Sequence, residues 1–107
     1  MVKLIVHVSV RTGKLLEFTQ ALESLIKVYR KEKGCLSYDY RQDKKNENEL
    51  LIEAIWEEMD ALNDHLKSYQ FGVLLGAFKV LCGTPQIEII DGSRTLGMKA
   101  IYAARGK

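Results

Sequence analysis

The sequence predicts one α+β domain of the ferredoxin-like type, an antiparallel sheet with both helices on one face. Two observations carry this prediction: four segments have the alternation or apolar enrichment of strands, and two have apolar residues at helical spacing. Their order is β-α-β-β-α-β, which is the ferredoxin-like arrangement. The 107 residues suffice for one hydrophobic core. We assign the domain to residues 1–91 and a C-terminal tail to residues 92–107.

The first predicted strand covers residues 2–10, where apolar and polar side chains alternate. Such alternation gives a strand two different faces. One face carries Val2, Leu4, Val6, Val8 and Val10. The other face carries Lys3, Ile5, His7 and Ser9.

An amphipathic helix of about five turns is predicted after this strand. Its apolar positions are Leu15, Phe18, Leu22, Leu25, Ile26 and Tyr29. Thr12 is the predicted N-cap, because a threonine hydroxyl can accept a hydrogen bond from the first helical turn. Gly34 is predicted to end the helix in the left-handed conformation, which glycine adopts at low cost.

A β-hairpin is predicted next, with strands at residues 35–42 and 50–56. The polar residues between them form the connection. In the second strand, Glu53 is the charged interior position. By alternation it lies on the face opposite Trp56, unless a bulge shifts the register.

The second helical region covers about residues 57–81, in two pieces, and the last core strand covers residues 86–90. Gly72 and Gly76 lie four residues apart on one helix face, which would allow a close approach to the sheet or to a ligand. In the tail, a weak strand pattern lies near residues 98–103. An extra strand and a dimer arm are the two alternatives for this segment.

Composition and charge argue against several classes of function. The net charge is +2 and basic residues are mixed with acidic ones, unlike the dense cationic stripe of nucleic-acid-binding proteins. No run of about 18 apolar residues is present, so we expect no membrane span. Cys35 and Cys82 have no metal-ligand spacing, which favours free thiols in a reducing compartment over a disulfide. We therefore expect a cytoplasmic protein that binds neither nucleic acid nor membrane.

The tail differs from the rest of the chain in its charge. It carries Arg94, Lys99, Arg105 and Lys107, with Asp91 as the nearby acid. A solvated tail is the interpretation that this pattern favours, and contact with an anionic partner is the alternative.

A homodimer is predicted from the sheet. Helices on one side leave the other face uncovered, and a valine-rich uncovered face would expose roughly several hundred Å² of apolar surface, more than soluble monomers usually tolerate. Two sheets packed face to face would bury it, forming a dimeric α+β barrel. With the valine face at the interface, His7 would point towards the helices and the pocket.

Two motifs resemble the antibiotic-biosynthesis-monooxygenase family, GCLSYDY at residues 34–40 and AIWEEMDALNDHLKSYQF at residues 54–71. The positions that carry the resemblance are Gly34, Cys35, Tyr38, Trp56, His65, Leu66, Ser68 and Phe71. The resemblance covers about residues 1–90 and implies the ferredoxin-like fold and a dimer. Members of the family include cofactor-free oxygenases of quinols and aromatic polyketides, haem-degrading enzymes and an isomerase, so the fold alone does not fix the chemistry.

Three positions depart from the family pattern. Gln70 stands where many oxygenase members have a second histidine, and Ala54 where many have a glutamate. Leu75 stands where the haem-degrading members have the histidine that ligates iron. Because leucine cannot ligate iron, haem degradation in the usual family manner is not expected.

His65 is the first candidate catalytic residue. A histidine can accept a phenolic proton near neutral pH, since its ordinary pKa lies near about 6.5. An electron-rich phenolate can donate an electron to O₂, which explains how an oxygenase can work without a metal or flavin. The alternative is a histidine that braces the helix junction. His7 is the second catalytic candidate, with a satisfied polar group in an apolar layer as the competing explanation.

An aromatic-lined slot is the predicted substrate site. The predicted substrate-binding residues are Tyr38, Trp56, Phe71, Leu74 and Phe78. Core or interface packing is the alternative for each of them.

The leading hypothesis is a cofactor-independent monooxygenase for a small phenolic or quinol-type substrate. The protein would then act as a homodimer on a small aromatic molecule and would use no cofactor and no metal. One alternative is a dimeric small-molecule-binding or stress-response module with little or no catalysis. The other is a cofactor-free isomerase, which needs a base but no O₂.

Overall fold

The computed structural model describes residues 1–106, which form five strands and four helices. The strands are β1 (Val2–Ser9), β2 (Cys35–Gln42), β3 (Glu49–Trp56), β4 (Gln86–Asp91) and β5 (Arg94–Leu96). The helices are α1 (Leu15–Tyr29), α2 (Met59–Leu66), α3 (Tyr69–Leu81) and α4 (Met98–Ala104). Within this range no helix combines the length and the apolar character needed to cross a membrane.

The strands form an antiparallel sheet in the order β2-β3-β1-β4-β5. The central strand β1 pairs with β3 on one side and with β4 on the other. This order, with helices packed on one face, confirms the predicted ferredoxin-like fold. Strand β5 extends the edge through a hairpin in which Gly92 has a φ of +62°, a conformation that glycine adopts without strain.

The hydrophobic core lies between the helices and the valine face of β1. On that face Val2, Leu4, Val6 and Val8 are at most 3% exposed. The prediction that this face forms the dimer interface is therefore wrong. Alternation shows that one face of β1 is more apolar, and the helices of the same chain cover that face because its burial gains the most free energy.

The other side, called here the helix-free face, mixes apolar and charged side chains. It is defined by Lys3, Ile5 and His7 on β1, Leu51, Glu53 and Ile55 on β3, and Ile90 on β4. The carboxylate of Glu53 lies 3.3 Å from Lys3 Nζ and 2.6 Å from Arg41 Nη1. Glu53 is thus on the face opposite Trp56, as predicted; the register shift of the hairpin lies in β2, between Cys35 and Ser37.

The first helix begins and ends differently from its prediction. Residue Lys14 is the N-cap and provides no side-chain hydrogen bond, so Thr12 is not the cap. The helix ends at Tyr29, and Gly34 has a φ of +83° in the following turn. A Cβ on Gly34 would lie 2.5 Å from the Cβ of Ala61. Glycine is needed there for its backbone conformation and for the close approach of α2.

The second helical region is divided in two, as predicted. Ser68 separates the pieces and caps α3, because its Oγ accepts a hydrogen bond from the backbone N of Phe71 at 3.1 Å. An N-cap serine of this kind stabilises a helix by about 1 kcal/mol. The chain therefore changes direction between α2 and α3.

The tail is helical at residues where a strand was predicted, so that prediction is wrong. Residues 94–96 form β5, and α4 follows and packs against α2 and β4. Ile101 of α4 is fully buried, and Met98 and Ala104 lie three residues to either side of it on the same helix face. Alanine favours the helix, and this spacing gives α4 one buried stripe.

Candidate functional site

The side chain of His65 is buried inside a group of aromatic rings. It lies in the last turn of α2 and is 0% exposed. Its ring stacks on that of Trp56 with centroids 4.7 Å apart, and the centroids of Tyr29 and Phe71 lie 4.6 and 4.9 Å away. Together with Tyr38, whose ring centroid is 5.3 Å away, these residues are called here the aromatic cluster.

Both ring nitrogens of His65 have hydrogen-bond partners. Nδ1 lies 3.0 Å from Oε1 of Glu32, and Nε2 lies 3.0 Å from the hydroxyl of Tyr38. A carboxylate can only accept, so Nδ1 carries a proton. In the neutral imidazole Nε2 then accepts the hydroxyl proton of Tyr38. The three residues form a hydrogen-bonded Glu32–His65–Tyr38 chain that leads from the core to a carboxylate whose side chain is 25% exposed.

The phenols of the cluster are held in their protonated form. Burial raises the pKa of Tyr38 well above its ordinary value of 10.0, and neighbouring Tyr29 and Glu32 raise it further. Burial also raises the pKa of Tyr29, whose hydroxyl donates to the backbone O of Gln70 at 2.7 Å. Tyr38 therefore keeps its proton at neutral pH, and its hydroxyl can donate a hydrogen bond to Nε2 of His65.

Trp56 contributes an unused donor to the same cluster. Its Nε1 is buried and has no hydrogen-bond partner among the described residues. A buried donor left without an acceptor costs about 1–3 kcal/mol. An oxygen atom of a bound molecule would recover part of that cost.

The junction between α2 and α3 is fixed from two sides. The hydroxyl of Ser68 donates to the backbone O of His65 at 2.7 Å. From the tail, Nη1 of Arg105 donates to the backbone O of Leu66 at 3.0 Å and to that of Ser68 at 2.8 Å. The tail thus braces the turn that carries His65.

Two of these residues, Glu32 and Arg105, were missed as site residues by the sequence prediction. Glu32 lies in the turn after α1, at no repeating position, and 33 residues separate it from His65. Arg105 was treated as part of a basic tail. No sequence signal links either residue to His65, because only the packing of α1, α2 and α4 brings them together.

The predicted substrate-binding residues are divided between the cluster and the core. Tyr38, Trp56 and Phe71 surround His65. Leu74 and Phe78 are each 1% exposed, and the ring of Phe78 packs 5.9 Å from that of Phe18.

The second predicted catalytic residue, His7, lies elsewhere. It is on the helix-free face, where Nε2 lies 3.3 Å from Oε1 of Glu49. The prediction that it points towards the helices and the pocket is wrong, because the valine face of β1 occupies that side. The structure does not bring His7 and His65 together.

A cleft with a volume of about 510 Å³ lies between α3, the 82–85 turn and the tail. Its lining includes Gly72, Leu75, Gly76 and Phe78 of α3, and the side chain of His65 does not belong to it. Leu75, which replaces the iron-ligating histidine of the haem-degrading relatives, thus faces an open space. Within residues 1–106, no three side chains of the types that ligate metals come together.

Comparison with known proteins shows which family the chain resembles. Residues 1–74 match the family model described as antibiotic biosynthesis monooxygenase. An uncharacterized protein from Synechocystis sp. is 29% identical over 65 residues, which are 61% of this chain and 44% of that protein. The chain thus spans less than half the length of this relative.

Solved structures share the fold. A Deinococcus radiodurans protein assigned to the antibiotic biosynthesis monooxygenases has a TM-score of 0.81 at 23% identity, covering 90% of this chain and 96% of that chain. A mutant of SnoaB, a cofactor-independent oxygenase from Streptomyces nogalater, has a TM-score of 0.77 at 19% identity, covering 89% and 95%. Since the family model matches more than half of its residues, the chain belongs to the antibiotic biosynthesis monooxygenase family.

Proposed function

We propose that this protein is a cofactor-independent monooxygenase for a small phenolic or quinol-type substrate, with His65 as the base. The observation that carries the proposal is the Glu32–His65–Tyr38 chain inside the aromatic cluster. Membership of a monooxygenase family supports the reaction class, and the likeness to SnoaB supports a reaction without a cofactor.

The proton leaves the substrate through Tyr38 in this proposal. The Tyr38 hydroxyl gives its proton to Nε2 of His65 and takes one from the substrate phenol. The resulting imidazolium is stabilised by Glu32 at Nδ1, as a carboxylate stabilises the histidine of a catalytic triad. The donor at Nε1 of Trp56 is available to the substrate oxygen.

The chemistry that follows needs O₂ as the second substrate. The phenolate gives an electron to O₂, and the two radicals combine at a ring carbon that is activated by the phenolate. Where that carbon is a CH₂ group, as in anthrone-like phenols, loss of one water leaves a carbonyl. The two hydrogens and one oxygen atom leave as water, and the other oxygen atom stays in the product.

Access is a requirement of the proposal, because the side chain of His65 is 0% exposed. The connection between α2 and α3 is two residues long and is braced by Arg105. The proposed function requires that this connection and Phe71, which packs on the His65 ring, move to admit a substrate. Local opening of this kind occurs in many enzymes on the μs–ms timescale.

Oxygen uptake by metal-stripped protein tests the proposal, using hydroquinones, catechols and anthrone-like phenols. We expect uptake that survives chelation and that His65→Gln lowers by at least about 100-fold, the scale of general base catalysis. Glu32→Gln should lower it by about tenfold, since the amide cannot stabilise the imidazolium. Glu47→Gln removes an exposed carboxylate from the β2–β3 connection and should leave uptake unchanged.

Circular dichroism of each variant separates loss of chemistry from loss of fold. Equal uptake by wild type and a folded His65→Gln would contradict the role of His65. Substrate conversion without O₂ would indicate an isomerase instead.

A binding module is the second candidate function, and the closed packing around His65 together with the separate open cleft favours it. If the protein is a binding module, we expect no oxygen uptake above background for any phenol of the panel, although the protein would still bind small molecules.

We also propose a homodimer formed through the helix-free face. Ile5, Leu51, Ile55 and Ile90 are partly exposed there and give the centre of the sheet an apolar strip. Glu53 interrupts this strip, because it lies between Leu51 and Ile55 on β3 and opposite Ile5 on β1. Its charge is paired with Lys3 and Arg41. A surface that mixes apolar side chains with paired charges is compatible with a protein interface, since interfaces as a whole are about as apolar as the rest of the surface.

The two cysteines support a reducing compartment. Cys35 and Cys82 are free, and burial raises the pKa of both thiols, that of Cys82 to about 11. Both therefore stay protonated and weakly reactive at neutral pH. We propose a cytoplasmic location, where free thiols persist.

A further inference from the structure

The cleft beside α3 owes its shape to two glycines. Gly72, Leu75, Gly76 and Lys79 lie at spacings of three and four residues, so they share one face of the helix. A Cβ on Gly76 would meet nothing within 4 Å, whereas a Cβ on Gly72 would lie 2.6 Å from Nη2 of Arg105. Gly76 therefore keeps the cleft open, and Gly72 makes room for the guanidinium.

The charges that line this cleft have one sign. Arg11, Lys79 and Arg105 belong to its lining, and no Asp or Glu does. Within residues 1–106, none of these three cations has a carboxylate oxygen within 4.0 Å. An uncompensated cluster of cations in a concave surface raises the local concentration of anions.

The remaining walls of the cleft are largely apolar. They include Leu75, Phe78, Pro85, Met98 and Tyr102. A volume of about 510 Å³ falls within the range of small-molecule sites, which is roughly 300–1,000 Å³. The cleft thus combines an apolar body with positive groups, which matches a molecule that is apolar at one end and negatively charged at the other.

Two of the three positive residues are attached to the fold by hydrogen bonds. The backbone N of Arg11 donates to the backbone O of Leu81 at 2.8 Å, which holds the residue at the end of α3. Nη1 of Arg105 is held by the backbone O of Leu66 and of Ser68, while its Nη2 faces Gly72 in the cleft wall. The guanidinium of Arg105 is therefore already positioned, which lowers the entropy that this group loses when it binds an anion.

We propose that this cleft binds a small amphipathic carboxylate, with the carboxylate paired to the cations of the lining that it can reach and an aryl or alkyl body against the apolar walls. The site is separate from His65 and does not depend on the proposed oxygenase activity. It also assigns a role to the basic tail, because α4 and Arg105 form one wall.

Calorimetric titration with 4-phenylbutyrate tests the proposal, and 4-phenylbutanol serves as the uncharged analogue. We expect the carboxylate to bind at least about tenfold more tightly than the alcohol, since a carboxylate forms charge-assisted hydrogen bonds with Lys and Arg and an alcohol does not. Lys79→Gln should weaken binding of the carboxylate by about tenfold. Gly76→Leu should weaken binding of both compounds by at least about tenfold, because its side chain projects into the cleft.

Lys99→Gln is the matched control, since Lys99 is an exposed cation of α4 outside the cleft lining. It should bind 4-phenylbutyrate like the wild type. Thermal unfolding of each variant verifies folding, and Gly76→Ala provides a smaller obstruction if Gly76→Leu does not fold. Equal affinity for the acid and the alcohol, unchanged binding by folded Gly76→Leu, or no binding at millimolar concentration would each overturn the proposal.

Discussion

At the scale of single residues, the hydroxyl of Tyr38 is the hydrogen-bond partner of one ring nitrogen of the buried His65. The ring of Tyr38 is fully buried, and its hydroxyl oxygen lies 3.0 Å from Nε2 of His65, to which it donates a hydrogen bond. Tyr40, two residues along β2, also hydrogen bonds through its hydroxyl, to Glu23 at 2.6 Å, but at the protein surface. The two tyrosines of one strand allow the buried and the exposed bond to be compared.

Tyr38→Phe is expected to lower the free energy of unfolding by about 1–3 kcal/mol, because it leaves Nε2 of His65 buried without a donor. Tyr40→Phe should cost less than about 1 kcal/mol, since water can replace its bond. Urea unfolding of both variants measures the difference. Equal losses would show that Nε2 of His65 does not depend on the Tyr38 hydroxyl.

At the scale of elements, α3 carries a glycine against the tail and a glycine against open space. Residue Gly72 faces the guanidinium of Arg105, whose bonds fix the α2–α3 junction, while a Cβ added at Gly76 would meet no other atom within 4 Å. The same substitution therefore has opposite consequences one helical turn apart. The helix alone would treat both positions alike.

Gly76→Ala is expected to raise the free energy of unfolding by about 0.5–1 kcal/mol, because alanine favours the helix and its methyl group meets no obstacle. Gly72→Ala displaces Arg105 and weakens its bonds to Leu66 and Ser68. We expect this variant to be less stable than Gly76→Ala by about 1–3 kcal/mol, because two hydrogen bonds to part-buried carbonyls are weakened.

Thermal or urea unfolding of the two variants beside the wild type gives both values. Equal stabilisation by both substitutions would mean that Arg105 adapts without loss, and that the tail does not brace the junction.

At the scale of the whole molecule, the sheet has one face under helices and one face without them. The covered face holds the valines of β1, and the helix-free face holds Ile5, Leu51, Ile55 and Ile90 among salt bridges. A mixed face of this kind can be solvated in a monomer and can also pair with a second copy. The oligomeric state therefore decides how this face is used.

Light scattering is expected to give a mass of about twice the 12.2 kDa of the chain. Ile55→Asp places a charge at the centre of the proposed interface and should reduce the mass to that of one chain. Leu16→Asp is the control, because it adds the same charge on α1 at a side chain that is 70% exposed. A wild-type monomer would rule out the dimer.

Much of the fold follows from periodicity along the chain. Alternation defines β1, helical spacing defines α1, and the pattern of residues 57–81 predicts a helical region in two pieces, which the structure divides between α2 and α3. The motif around Trp56 and His65 indicates the family, and the structure places these two rings in contact. These features depend on neighbours close in sequence, so the sequence alone determined them.

Other features were decided by the tertiary structure. The sequence could show that β1 has two unlike faces, but only packing determined that the helices cover the valine face and leave His7 on the other. Glu32 reaches His65 across 33 residues, and Arg105 reaches Leu66 across 39. Such contacts carry no local pattern, because their free energy comes from bringing distant segments together rather than from the conformation of any one segment.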